Sequence, residues 1–230
     1  MSPRPRRNER QPNLQEAIKE TAWRQIAESG ASALSLRAIA RELGITAPAI
    51  YNYFSDRDAL VTALIIDAYT SFGDSQFAAR DAVPAEDMTG RLMATGAAYR
   101  DWAHKYPQRY QLIFGTPIPG YAAPLEQVLP SAARSLGVLA SVVEALRAGG
   151  KLNVPDFPMV KEEYKVSFEM WKKFGGDYDL LSLSVAVLIW ARVHGIVSLE
   201  IAGNLPPFGA NGDALYLYEM MSIGRQFIKE

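Results

Sequence analysis

Apolar residues recur along this chain at intervals of three and four, and nothing alternates with period two over a useful length. The pattern predicts an all-α protein. A first helix runs from Asn13, with Glu16 at the capping-box position, along an inner face of Ile18, Ala22, Trp23 and Ile26, and Gly30 ends it. Two short helices follow within Ser35 to Phe54, SLRAIARELGITAPAIYNYF. Ser35 is placed as an N-cap, and Leu34 and Ile39 take the two positions of a hydrophobic staple. Leu36, Ile39, Ala40 and Leu43 share one face. Gly44 stops that helix, because glycine accepts the left-handed conformation of a sharp exit. Thr46 is placed to cap the next helix, Pro48 falls in its first turn, and Ile50 and Phe54 face inward. Ser55 stands as the cap of a fourth helix through Leu60, Leu64, Ile65 and Tyr69.

The remaining pattern is helical too. After a loop at Asp81 to Pro84 come helices from Glu86 to Lys105 and from Gln108 to Phe114. A proline-rich loop leads to a helix from Leu125 to Ala148, where Pro130 implies a kink or a late start. Val160 to Phe174, Asp177 to Ala202 and Asp213 to Ile228 complete the set, with Asp213 as a cap. The segment before Asn13 has two early prolines, no periodicity and Arg4, Arg6, Arg7 and Arg10. It reads as a disordered basic arm over residues 1–12, open to two interpretations: contact with phosphates or a minor groove, or a solvated tail.

Two helices of about eight residues around a glycine corner form the helix-turn-helix pattern, whose second helix enters the DNA major groove. Thr46, Ala47, Pro48, Tyr51 and Asn52 are left facing outward. Small side chains there permit close approach and contact with thymine methyls, while Asn52 suits adenine or phosphate. Tyr51 and Tyr53 cannot both be buried easily, and a phenol donating to phosphate accounts for an exposed aromatic. Charge adds modest support. Residues 1–60 hold 9 Lys+Arg and 7 Asp+Glu, a net of +2; the rest holds 15 and 18, a net of −3.

Cysteine is absent, which excludes disulfides and thiolate zinc sites, and two histidines do not make a histidine-rich metal centre. No metal or cofactor is expected. The arginine-rich start is not a secretory signal, and the most apolar run, Leu180 to Ala191, is too short to span a bilayer before Arg192. A soluble cytoplasmic protein without a membrane partner follows. No Ser-His-Asp arrangement, phosphate loop or dinucleotide fingerprint stands out, so no enzyme is expected.

The run L-S-L-R-x-I-A-R-E-L-G-I-T-x-P-A-I-Y-N-Y-F-S-D-R-D-A-L resembles the DNA-binding domain of the tetracycline-repressor (TetR) family, over roughly Asn13 to Tyr69. The resemblance implies a three-helix DNA-binding domain over 13–59 and a helical ligand-binding and dimerisation domain over 60–230, with the fourth helix connecting them. It implies DNA contacts from Ser35, Arg37, Thr46, Ala47, Pro48, Tyr51, Asn52, Tyr53 and Arg57. Arg37 would reach a base edge, its alternative being a plain surface arginine. Arg57 would clamp the DNA backbone at a place where lysine is commoner in the family. Trp190-Ala191-Arg192-Val193-His194-Gly195 is similar to a tryptophan–histidine–glycine signature of one branch, with valine in the place of a tryptophan.

The second domain is rich in amphipathic aromatics. Tyr99, Trp102, Tyr106, Tyr110, Phe114, Phe168, Trp171 and Trp190 are candidates to line an apolar cavity, each with core packing as the alternative. Arg100, Glu144 and His194 are the candidate polar groups; a histidine bonded within a helix interface is the other reading of His194. The expectation is a DNA-binding transcriptional regulator, a repressor released by a small, largely apolar effector. It would bind a near-palindromic operator as a homodimer through the segments Leu180 to Ala202 and Leu215 to Ile228, the first of which has the central core helix of a monomer as its other reading. The competing expectation is an α-helical small-molecule-binding protein or enzyme without specific DNA binding.

Overall fold

The computed structural model describes residues 11–155, 165–205 and 212–229. Among them are ten α-helices and no strand. They are α1 (Gln11–Ser29), α2 (Leu36–Glu42), α3 (Ala47–Tyr51), α4 (Arg57–Asp81) and α5 (Met88–Lys105), then α6 (Pro107–Phe114), α7 (Leu125–Ala148), α8 (Lys165–Gly175), α9 (Leu180–Ile201) and α10 (Asp213–Phe227). A 3₁₀ turn, Ala31–Ala33, joins α1 to α2. The chain divides into two compact units: residues up to Ala68 with Gln108–Gln127, and Tyr69–Pro107 with the chain from Val128 onward. α4 and α7 therefore each run from one unit into the other.

In the first unit, Ile18, Ala22 and Ile26 of α1 are buried with Leu36, Ile39, Ile50, Phe54, Leu60 and Leu64. These are the one-turn spacings that put apolar side chains on a single helix face. The two corners need glycine: Gly30 and Gly44 have φ of 76° and 64°. α6 and the loop after it, although later in the chain, belong to this unit. The Arg109 guanidinium lies 5.2 Å from the centre of the Trp23 ring, and Thr62 Oγ1 and Tyr121 Oη share a hydrogen bond of 2.9 Å. Lys19 ties α1 to α4 through Asp67 at 2.8 Å.

The second unit is a helical bundle whose core includes Leu92, Tyr99, Trp102, Val138, Val142, Val143, Leu146, Leu183, Ile189, Val193, Val197 and Phe227. Close approach sets part of its packing. A β-carbon on Gly137 would stand 2.7 Å from the Gly175 carbonyl oxygen, so α7 and α8 meet where only glycine fits. The chain end is held by an antiparallel bridge between Leu152 and Ile228.

Several helix ends differ from the pattern-based expectation. Residues 1–10 of the expected arm, and Val160 to Tyr164 of the expected eighth helix, lie outside the described residues. Gln11 and Pro12 already belong to α1, a position where proline sacrifices no helical bond. Asp56, not Ser55, caps α4, accepting from Ala59 N at 2.7 Å, and Ser55 Oγ instead donates to Asp56. α7 is continuous from Leu125, with Pro130 inside its second turn, so its start is not delayed. Asp213 does not cap α10, because its carboxylate pairs with Arg100 at 2.6 Å. The apolar stretch in α9 also continues past Arg192: both α7 and α9 are long and apolar enough to cross a membrane by length and composition. Their polar pairs fit a packed soluble domain better. Within α9 those pairs are Arg192 with Glu219, His194 with Tyr99, and Glu200 with Arg100.

Candidate nucleic-acid interface

The α2–α3 pair is built outward from two buried anchors, Ile39 and Ile50. Ser35 precedes α2 in an extended conformation, and its Oγ accepts from Ala38 N at 3.4 Å. Its own N–H donates to Gln25 Oε1 at 3.3 Å. α3 is five residues long, shorter than its pattern suggests, because the chain tightens after Tyr51: Tyr53 N and Phe54 N both donate to Ile50 O, at 2.8 and 3.0 Å. With Ile50 and Phe54 turned into the core, Thr46, Pro48, Tyr51 and Asn52 are exposed, and Ala47 and Tyr53 are half-buried. Thr46 makes no capping bond with its side chain. Tyr51 keeps 48% of its surface accessible.

The cations of this unit divide into occupied and available ones. Arg24 is paired with Glu42 at 2.8 Å, and Lys19 with Asp67. Arg37 and Arg41 are exposed, one turn apart on α2, and have no partner among the described residues. Arg57 is half-buried, and its Nη2 donates to the carbonyls of Ala31 and Ser32 at 3.2 and 3.4 Å. An open polar groove of about 420 Å³ runs beside α2, lined by Gln25, Glu28, Ser29, Ala33, Ala38, Arg41 and Glu42. Sequence reasoning missed this groove, since its walls come from α1 and α2 and no motif joins them.

In the second unit the structure brings together five of the candidate effector-site residues. Tyr99 and Trp102 are buried, and both pack on Phe72, with ring centres 4.8 and 4.9 Å away. Tyr106 lies 5.6 Å from Trp102. The Tyr99 hydroxyl is 2.9 Å from His194 Nδ1, and Ser198 Oγ is 3.2 Å from Nε2. Trp190 stacks on the same imidazole at 4.9 Å. Burial pushes the His194 pKa below its ordinary value, so the ring is neutral at pH 7, with one nitrogen donating and the other accepting. Phe72 was not a sequence candidate, although its four-residue step from Ala68 on α4 was available as a signal.

Other candidates fall elsewhere. Tyr110 and Phe114, 5.1 Å apart, belong to the first unit. Phe168 and Trp171 sit half-buried on α8, where the Trp171 ring covers Gly175. Arg100 and Glu144 are already engaged. Glu144 pairs with Arg147 at 2.6 Å. Arg100 pairs with Glu200 at 2.7 Å and with Asp213, and the Glu200 side chain is 1% exposed. Burial pushes the Glu200 carboxyl up, but the Arg100 guanidinium, the Gly212 N–H at 2.7 Å and His104 outweigh it and hold the group below the usual carboxylate range. This cluster joins α5, α9 and the start of α10.

Known proteins share both units. The family described as bacterial regulatory proteins, tetR family, matches residues 18–64, and the family described as Tetracyclin repressor-like, C-terminal domain, matches residues 92–222. The HTH-type transcriptional regulator Rv1816 of Mycobacterium tuberculosis (strain ATCC 25618 / H37Rv) is 35% identical over 200 residues, 86% of this chain and 85% of that protein. A crystal structure of the candidate regulatory protein SCO4313 superposes with a TM-score of 0.75 at 35% identity, over 96% of this chain and 98% of that one. A protein of unknown function from Rhodococcus sp. RHA1 shares the fold, with a TM-score of 0.72 at 22% identity over 94% and 96% of the two chains. The chain belongs to the TetR family of bacterial regulatory proteins. It is a DNA-binding transcriptional regulator.

Proposed function

We propose that this regulator is a cytoplasmic, ligand-released repressor that binds a near-palindromic operator as a homodimer and carries out no catalysis. The observation that carries the reading is the outward face of α2 and α3, where Thr46, Pro48, Tyr51, Asn52 and Arg37, which has no partner among the described residues, stand exposed over a core fixed by Ile39 and Ile50. Ala47 and Tyr53 border that face, and Ser35 opens it. A protruding tyrosine and an exposed guanidinium suit phosphate and guanine edges respectively.

Support for the dimer comes from α9 and α10. Val187, Leu188 and Leu199 on one helix, and Leu217, Tyr218 and Met221 on the other, are large apolar side chains left 39–64% exposed. A second copy would cover both stripes and place two α3 helices about one DNA turn apart, or a multiple of it. A small, largely apolar effector would enter the aromatic cluster around Phe72, Tyr99, Trp102 and Trp190, with Tyr106 and His194 at its edge. A coupling of about 1–3 kcal/mol would then change operator affinity roughly 5–150-fold.

Selection from a random DNA pool tests the reading directly. A near-palindromic consensus is expected, bound with steep salt dependence. Recovery of no consensus would refute it. For the effector arm, an apolar small molecule is expected to quench tryptophan fluorescence and weaken operator binding together. Quenching that leaves operator affinity unchanged would refute the coupling, since a ligand with equal affinity for both states shifts nothing.

A further inference from the structure

Helix α10 is fastened to its subunit by a buried ionic fork as well as by apolar contact. Arg100 on α5 donates from Nε and Nη2 to the two Glu200 carboxylate oxygens, at 2.8 and 2.7 Å, and Nη2 also lies 2.6 Å from Asp213 Oδ1. Glu200, in the last turn of α9, accepts the Gly212 N–H at 2.7 Å, and His104 Nε2 is 3.3 Å from its other oxygen. Thus α5, the end of α9 and the start of α10 meet at one carboxylate whose side chain is 1% exposed. A second set of contacts lies one turn back on α5. Tyr216 Oη donates to Gly96 O at 2.6 Å, the Arg100 guanidinium sits 5.2 Å from the centre of the Tyr216 ring, and a β-carbon on Gly96 would overlap the Met220 side chain.

We propose that Arg100 and Glu200 are positioning residues for dimer assembly: the fork sets the rotation of α10 about its axis, and with it the face that Leu217, Tyr218 and Met221 present beside Val187, Leu188 and Leu199 of α9. This rests on the reading of those two stripes as the dimer interface. The geometry makes rotation the sensitive variable. Leu217 and Met221 are exposed, and each directly follows a buried residue, Tyr216 and Met220. Successive helix residues point about 100° apart, so a modest rotation begins to exchange the inner and outer sets. Apolar contacts resist such a rotation weakly, since cores lose uniqueness before they lose stability. A bidentate guanidinium–carboxylate pair is directional. It adds little stability beyond what apolar residues of similar volume supply, because both charges must be desolvated. Its chemistry therefore suits placement of α10 better than strength.

A pair that only stabilises and a pair that positions respond differently to an uncharged replacement. Arg100→Met/Glu200→Gln keeps the side-chain volumes and leaves an acceptor for the Gly212 N–H, but removes the fork. Arg100→Lys keeps the charge and loses the planar geometry. Full chains of the wild type and both variants are compared by thermal melts and by sedimentation, which gives the dimer dissociation constant. Each is also titrated with the selected operator and with duplexes whose half-site spacer is longer or shorter by a single base pair.

The double variant is expected to melt close to the wild type, to raise the dimer dissociation constant roughly tenfold, and to lose most of the preference for the selected spacing. Arg100→Lys is expected to change assembly and spacing preference in the same direction. If the double variant fails to fold, Arg100→Lys decides. Wild-type dissociation constant and spacing preference in the folded variants overturn the positioning role, as does a loss of dimer confined to temperatures at which the variant unfolds. A wild type that sediments as one chain fails at the earlier step: the interface reading falls, and the proposal with it.

Discussion

Two substitutions one helix apart should have different consequences, and the contrast tests the proposed dimer. From pattern alone Val197 lies in the middle of the most apolar segment and looks like an interface residue. The structure shows it fully buried within its own subunit, at 0% exposure, while Met221 is 49% exposed between Leu217, Tyr218 and Arg225 on α10. Val197→Glu puts a carboxylate into the core, at an effective cost of several kcal/mol. That is a large part of the ~5–15 kcal/mol that stabilises a typical domain, so the second unit should unfold. Met221→Glu should leave the subunit folded and act on association. Burying the exposed half of a methionine contributes about 1 kcal/mol, and the twofold axis counts it twice. Adding the cost of desolvating two carboxylates brings the loss to roughly 4 kcal/mol or more, about a thousandfold in the dissociation constant. Light scattering, a thermal melt and an operator titration read these effects together. Met221→Glu should melt like the wild type, have the 25.4 kDa mass of one chain and lose cooperative operator binding. A folded Met221→Glu variant that keeps twice that mass would show that α10 is not the interface. A wild type with the mass of one chain would refute the dimer altogether.

Tyr51→Ala should weaken specific operator binding by about 1–3 kcal/mol in a gel-shift titration, and an unchanged midpoint would remove Tyr51 from the interface. Deleting residues 1–10 removes four arginines and one glutamate, a net of +3; if the arm touches phosphates, the salt slope should shrink, and an identical slope would mark a solvated tail. Glu200→Gln should destabilise the second unit by about 1–3 kcal/mol, because Arg100 then keeps only the Asp213 carboxylate as an ionic partner. The Glu200 carboxyl titrates below its unfolded value near 4.3, so its stabilisation is complete above that pH and is lost as pH falls through the depressed folded value. Acid-unfolding curves of wild type and Glu200→Gln should therefore diverge above pH ~4.3 and converge below the folded value; parallel curves throughout would refute the assignment.

The geometry of the α2–α3 face proposed for DNA was legible in the sequence because its determinants are local. Gly44 needs a positive φ, Ser35 lies three residues before the N–H it caps, and Ile50 and Phe54 are one helical turn apart. Each relation spans fewer than five residues, so a linear reading captures it. Arg57 was legible by position and not by partner. Its carbonyls are 25 and 26 residues away, and only the folded turn brings them within reach. The effector-site candidates were harder for the same reason. An aromatic on a helix looks the same in sequence whether it faces Phe72, as Tyr99 does, or joins the other unit, as Tyr110 does.

Helix α9 shows where periodicity itself runs out. Its sequence is apolar nearly all round, so the pattern cannot separate the side facing the core from a side facing a partner. The few polar groups make that separation once their partners are known. Arg192 reaches Glu219 and Gln226 on α10, His194 reaches Tyr99 on α5, and Glu200 reaches Arg100 on α5. Those three fix the rotation of the helix. Val185, Ile189, Val193 and Val197 then turn inward, and Val187, Leu188, Ala191, Gly195 and Leu199 form a continuous outer stripe. A β-carbon on Gly195 would meet nothing within 4 Å. The outer stripe has small residues at its centre and large apolar residues at both ends, which suits close approach by another helix. Glutamate at Gly195 should therefore be tolerated by the folded subunit and should oppose pairing, and a Gly195→Glu variant that remains dimeric would exclude this stripe from the interface.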